Sequence, residues 1–126
     1  MSLRTPLANA RGLGSAKEGV DHWWKQRLTA IALVPLMLWL GFSVAMIGTA
    51  DYYSVVEWIA QPVNSALLIL SIAVGLWHGV LGLQSVIEDY IGAEAARLTV
   101  LILIQFAAAL LALAGILAVL RITLGV

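Results

Sequence analysis

Apolar residues run along this chain in three long blocks, at about 28–48, 63–87 and 98–120, with the polar residues gathered before and between them. Each block exceeds the roughly 20 residues that cross ~30 Å of hydrocarbon at ~1.5 Å rise per residue. None keeps the strict alternation of a barrel strand, and each is far longer than one. The first block begins too late and runs too long for the core of a signal peptide. The pattern predicts an all-α membrane protein with three transmembrane helices. Between the first two blocks, Tyr52, Val55, Val56 and Ile59 recur at helical spacing beside Trp58. That predicts a short helix lying in the membrane interface.

Proline and glycine punctuate the plan. Pro62 suits the first position of the second membrane helix, where a missing N–H costs nothing. Gly92, just beyond Tyr90, is expected to end that helix in a left-handed conformation. Pro35 falls inside the first block and should kink it, freeing the carbonyl near Ile31. The chain divides into a polar tail, 1–27, and a three-helix anchor domain, 28–126, without internal repeats.

Composition agrees with the pattern: 62% of the 126 residues are hydrophobic and 11% charged, against roughly a quarter charged in soluble domains. The absence of cysteine excludes disulfides, iron–sulfur ligation and thiol chemistry within this chain. The formal net charge is zero, so no nucleic-acid partner is expected. The charges are nonetheless unevenly placed. Arg4, Arg11, Lys17, Lys25 and Arg27 lie in the tail and Arg97 in the 88–97 loop, whereas the 49–62 loop has no basic residue. Arg121, near the carboxyl end, is the one Lys or Arg on the other side. Lys and Arg bias a segment to the cytoplasmic side. The amino terminus is therefore expected inside and the carboxyl terminus outside, with Arg121 snorkelling to the outer interface.

The second block carries the candidate chemistry. Gly75, His78, Gly82, Ser85 and Asp89 follow at intervals of three and four, along one helix face. Apart from His78 and Asp89 these are small residues, which let something bulky approach the backbone. Two readings fit. One is a helix–helix seam with His78 as an interhelical hydrogen-bonding residue, as in a structural or assembly subunit. The other is a haem face, with the imidazole ligating iron and Gly75, Gly82 and Ser85 clearing room for the ring. The other histidine, His22, sits in the tail, so a six-coordinate iron at His78 would need its second ligand from a partner chain. A proton relay through His78 and Asp89 lacks further polar residues toward the outer side. Gln105 and Thr99 in the third block read as packing or backbone-satisfied groups.

The pattern His78, Gly82, Asp89, Tyr90 on the second of three helices resembles the hydrophobic anchor (D) subunits of succinate dehydrogenase. The stretch "QRLTAIALVPL", 26–36, is similar to the start of that family's first helix, with Arg27 before a Thr-Ala pair. The resemblance covers about 22–120, although its diagnostic part is about twenty residues. It implies that His78 is an axial ligand of haem b, shared with a histidine of the companion cytochrome b (C) subunit. It further implies that Tyr90 hydrogen-bonds a ubiquinone carbonyl with Asp89 beside it, and that Arg27 lies near the haem propionates and the quinone pocket. Succinate oxidation would belong to a separate flavoprotein, with electrons arriving through an iron–sulfur subunit. The setting would be a bacterial inner membrane, with the carboxyl terminus periplasmic. Glu88 departs from the family pattern by giving two adjacent acids before the tyrosine, and 1–21 has no counterpart.

The uneven placement of Lys and Arg sets a first test. A reporter at the amino terminus should read as cytoplasmic and one fused after Val126 as outside. Both ends on one side would break the three-helix plan.

Overall fold

The computed structural model describes residues 15–126; the tail segment 1–14, with Arg4 and Arg11, lies outside the described residues. Four helices follow in order: α1 Ser15–Ile47, α2 Tyr52–Ala60, α3 Pro62–Tyr90 and α4 Glu94–Leu124. Three segments are long and apolar enough to cross a membrane: Gly19–Ile47, Pro62–Tyr90 and Glu94–Leu124. At ~1.5 Å per residue each is over 40 Å long and overruns a ~30 Å hydrocarbon layer at its ends.

The helices extend beyond the apolar blocks because hydropathy and helix formation are different properties. α1 begins at Ser15, inside the polar segment. There, Lys25 Nζ lies 2.7 Å from Asp21 one turn earlier, an exposed pair worth a few tenths of a kcal/mol. α4 begins at Glu94, whose carboxylate in the first turn complements the helix dipole. α1 continues through Pro35, whose ring is exposed. Pro62 does occupy the first turn of α3.

The end of α3 differs from expectation. Ile91 leaves the helix in extended geometry (φ −104°, ψ 104°), and Gly92 has no positive φ. The segment 91–93 leads straight into α4, so no left-handed reversal is required. The left-handed glycine is Gly125 (φ 70°), which caps α4 and donates its N–H to the Arg121 and Ile122 carbonyls.

α3 is the central helix, packed on α1 at one side and α4 at the other, while α2 touches α3 and α4. The short helix lies where the pattern of Tyr52, Val55, Val56 and Ile59 places it. Asp51 caps it, accepting from the N–H groups of Tyr53 and Ser54 at 3.1 and 3.3 Å. The Ser54 hydroxyl also donates to Asp51 at 2.6 Å. These bonds, the Ser54 hydroxyl first, hold the Asp51 carboxyl below its ordinary pKa. Trp58 of α2 stacks on Trp39 of α1 (5.6 Å between centroids, 20° between planes). Its carbonyl accepts from Asn64 Nδ2 at 2.9 Å.

Within the spans, hydroxyls bond back to their own helix. Ser71 donates to the Leu67 carbonyl (2.7 Å), Thr99 to Ala95 (2.8 Å) and Thr123 to Val119 (2.8 Å). Hydrocarbon offers no water, so these internal acceptors make polar side chains tolerable there. Thr99 is thereby satisfied as expected. α3 and α4 pack tightly at Gly115, where an added Cβ would lie 3.2 Å from Ile72 Cδ1.

Replacing Gly115 by Val should therefore force Ile72 aside and destabilise the α3–α4 contact by about 1–3 kcal/mol. Gly41→Ala, where an added Cβ meets nothing within 4 Å, serves as the control. Thermal denaturation of the purified complex should show a lower midpoint for Gly115→Val alone.

Candidate functional site

The face of α1 toward α3 is built from His22, Gln26, Thr29, Leu33 and Leu36, at alternating intervals of four and three. α3 answers with Gly75, His78, Gly82 and Ser85 at intervals of three, four and three. Run antiparallel, the two rows mesh, as coiled-coil-like seams do. An added Cβ at Gly75 would lie 3.9 Å from Leu33 Cδ2, and one at Gly82 3.5 Å from Gln26 Nε2. Between these two contacts, Thr29 Oγ1 lies 2.9 Å from His78 Nδ1. Thr29 is 5% exposed, and its hydroxyl is also 2.8 Å from the Lys25 carbonyl and 3.0 Å from that of Gln26.

Toward the amino end of α1 the seam opens into a cavity of about 440 Å³. α1 lines it with Gly19, His22, Trp23, Gln26, Arg27 and Ala30, and α3 with His78 and Ser85. The Arg27 guanidinium lies 5.3 Å from the centre of the Trp23 ring, a cation–π contact that holds the charge at the cavity wall. His22 Nε2 and Gln26 Oε1 are buried there without a hydrogen-bond partner. A buried polar atom left unpaired carries a desolvation cost of about 1–3 kcal/mol, which a polar occupant of the cavity relieves.

The candidate stripe on α3 is thus divided. His78 and Ser85 reach the cavity. Gly75 and Gly82 do not line it: both face side chains of α1, and Gly75 also borders an apolar cavity between α3 and α4 with Gly79 and Ala108. The reason is rotational. At ~100° per residue, Gly75 lies about 60° around the helix from His78 and Ser85 only about 20°. Arg27 lines the same cavity as His78. Asp89 and Tyr90 lie away from it, at the exposed carboxyl end of α3, where Tyr90 is 85% exposed. Beside them, Glu88 accepts from Gln84 Nε2 at 2.8 Å.

Two cavity groups have no site role in the sequence pattern. His22 belongs by composition to the polar tail. Because α1 is helical from Ser15, His22 instead lies on the cavity wall, two turns or ~10 Å along the axis from Thr29. The signal was available in the spacing His22, Gln26, Thr29, Leu33, a seam that hydropathy alone conceals. Thr29 was noted only as half of a Thr-Ala pair. Its partner depends on the antiparallel register of α1 and α3, which one sequence does not specify. Among the described residues, no three of His, Cys, Asp and Glu converge as a metal site.

Comparison with known proteins places this geometry in a family. Residues 1–116 match the family described as succinate dehydrogenase/fumarate reductase transmembrane subunit, so the match takes in residues 1–21, for which the sequence resemblance had no counterpart. The succinate dehydrogenase hydrophobic membrane anchor subunit of Rickettsia bellii is 36% identical over 117 residues, covering 93% of this chain and 94% of that protein. The succinate dehydrogenase membrane anchor subunit of Reclinomonas americana is 35% identical over 71% of this chain and 77% of its own length. The hydrophobic membrane anchor subunit of Paracoccus denitrificans is 29% identical over 99% and 96%. Three apolar helices long enough to cross a membrane, together with these matches, show that the chain belongs to the succinate dehydrogenase/fumarate reductase transmembrane subunit family.

Proposed function

We propose that this chain anchors a succinate dehydrogenase in a bacterial inner membrane, holds haem b through His78, and supplies part of the ubiquinone-reduction site at Tyr90 and Asp89. The observation that carries the reading is an imidazole and a guanidinium, His78 and Arg27, on the wall of one cavity between two helices long and apolar enough to cross a membrane. The donor set suits a haem. One neutral imidazole can ligate iron, and Arg27 can pair with propionate carboxylates. The unpartnered His22 Nε2 and Gln26 Oε1 mark a wall made for a polar occupant. The cavity's other imidazole, His22, lies ~10 Å along the axis of α1 from Thr29 and its partner His78, so a second ligand would come from the companion cytochrome b subunit. Bound there, haem b supplies a one-electron carrier between the iron–sulfur subunit and quinone, while succinate is oxidised on the flavoprotein.

Tyr90 has a separate task. It lies twelve residues beyond His78, a rise of ~18 Å and a rotation of about 120°. It therefore stands near the membrane surface and faces a different neighbour. Its phenol can donate a hydrogen bond to a quinone carbonyl, with Asp89 supplying charge and protons nearby. A second reading, an assembly subunit without haem, has the Thr29–His78 hydrogen bond in its favour. That bond occupies only Nδ1, so it leaves the other ring nitrogen available and does not decide between the two.

The reduced-minus-oxidised spectrum of the purified complex separates them. His78→Ala should abolish or strongly diminish the haem b signal while the helices still insert. An unchanged spectrum removes the ligand role and leaves the assembly reading. Tyr90→Phe keeps the ring and removes only the hydroxyl. Quinone reduction should then fall about tenfold, the rate equivalent of ~1.4 kcal/mol, while succinate oxidation by a water-soluble dye and haem content persist. Undiminished quinone reduction would make Tyr90 an interfacial anchor instead.

A further inference from the structure

We infer that Thr29 is the positioning residue of His78, fixing the imidazole's tautomer and raising the donor strength of the nitrogen offered to iron. The inference rests on the haem reading above. The Thr29 hydroxyl has one proton and can also accept. Its neighbours are the Lys25 carbonyl at 2.8 Å, the Gln26 carbonyl at 3.0 Å and His78 Nδ1 at 2.9 Å. If the hydroxyl donated to Nδ1, neither carbonyl would receive its proton, and one interaction would be made. If it donates to a backbone carbonyl, its oxygen accepts from Nδ1–H, and two interactions are made. At a site 5% exposed, inside a low-dielectric span, the arrangement with more satisfied groups prevails.

The consequence is chemical. With its proton on Nδ1, His78 carries its lone pair on Nε2, the form in which neutral imidazole binds a metal. Nε2 has no hydrogen-bond partner among the described residues, and His78 lines the cavity. The hydroxyl that accepts from Nδ1–H is itself polarised by donating to a carbonyl, which strengthens the bond it receives. Hydrogen bonding at the remote ring nitrogen orients a ligating histidine and raises its basicity. A more basic axial ligand favours ferric over ferrous iron, so Thr29 should lower the haem midpoint potential. The same bond fixes the ring plane, because α1 and α3 hold its two ends at a set register.

The test uses the intact complex, with its own haem. Thr29→Val keeps the branched shape but not the hydroxyl, and Thr29→Ser restores it. We expect the Val variant to show a midpoint potential shifted upward and a displaced low-field EPR feature of the oxidised haem, with the Ser variant returning both toward wild type. A Val variant with wild-type potential and EPR spectrum, in a complex whose haem is lost on His78→Ala, overturns this inference alone. Haem retained on His78→Ala overturns the underlying reading instead. Should the Val complex fail to assemble, Thr29→Val is compared in the His78→Ala background. No added loss of assembly there means that Thr29 acts through His78. An added loss means that it serves only the backbone of α1, and the inference falls.

Discussion

An imidazole in hydrocarbon brings two polar atoms into a medium with no water to satisfy them. One carries a proton and the other a lone pair, so each needs a partner of opposite kind. In this chain Thr29 meets one of them at 2.9 Å, from the facing helix. Thr29 can do so because its own proton has carbonyls within reach one turn back on α1. The other ring nitrogen has no hydrogen-bond partner among the described residues, and His78 lines the cavity. The position of His78, the register of α1 against α3 and the cavity beside them are three aspects of one constraint.

The register follows from matched sizes along the seam. Leu33 lies against Gly75 and Gln26 against Gly82, so a larger side chain on α1 meets a glycine on α3 at each contact. Thr29 and His78 occupy the step between. Lipid is as apolar as leucine, so burying apolar surface gives membrane helices little reason to associate in one register rather than another. Close approach at glycine and a polar bond at one level supply that reason. The seam and the haem face, alternative readings of one stripe, are therefore not exclusive. The glycines make the seam, and His78 with Ser85 reaches past it to the cavity.

How much was legible in the sequence depends on the kind of signal. The three spans and the short helix at Tyr52–Ala60 were legible because length and periodicity are written directly in the order of apolar residues. His78 was legible as a candidate because a polar group inside an apolar helix is expensive, whereas Arg27 entered through the family resemblance alone. The start of α1 at Ser15 was hidden, since a hydropathy pattern falls silent where a helix leaves the membrane but continues. The same continuation of α1 carries His22 from the tail onto the cavity wall. The helix-ending role assigned to Gly92 failed because a glycine permits a left-handed turn without requiring one. At 91–93 the chain passes from helix to helix in extended geometry, and the turn that needs φ of 70° is at Gly125. Thr29 could not be assigned a partner without knowing which face of α3 lies opposite.

The burial pattern bears on why so small a polar feature matters. Among the described residues the buried apolar side chains are Leu36, Leu81, Ile87 and Val119, beside buried Thr29, Ser43, Ser65 and Ser71. Polar and apolar residues thus share the interior evenly, unlike a soluble core, in which apolar residues dominate. Large apolar side chains such as Leu103, Phe106 and Leu110 of α4 point outward instead. Hydrophobicity in this chain drives insertion, and its contribution is nearly complete before the helices meet. What remains to define the three-dimensional arrangement is small in energy and specific in geometry: hydroxyls bonded to their own helices, glycine contacts, a tryptophan stack and the interhelical hydrogen bonds of Asn64 with Trp58 and of Thr29 with His78. His78 is bound into the fold by the last of these, because losing the alignment of α1 and α3 and losing the orientation of His78 are the same event.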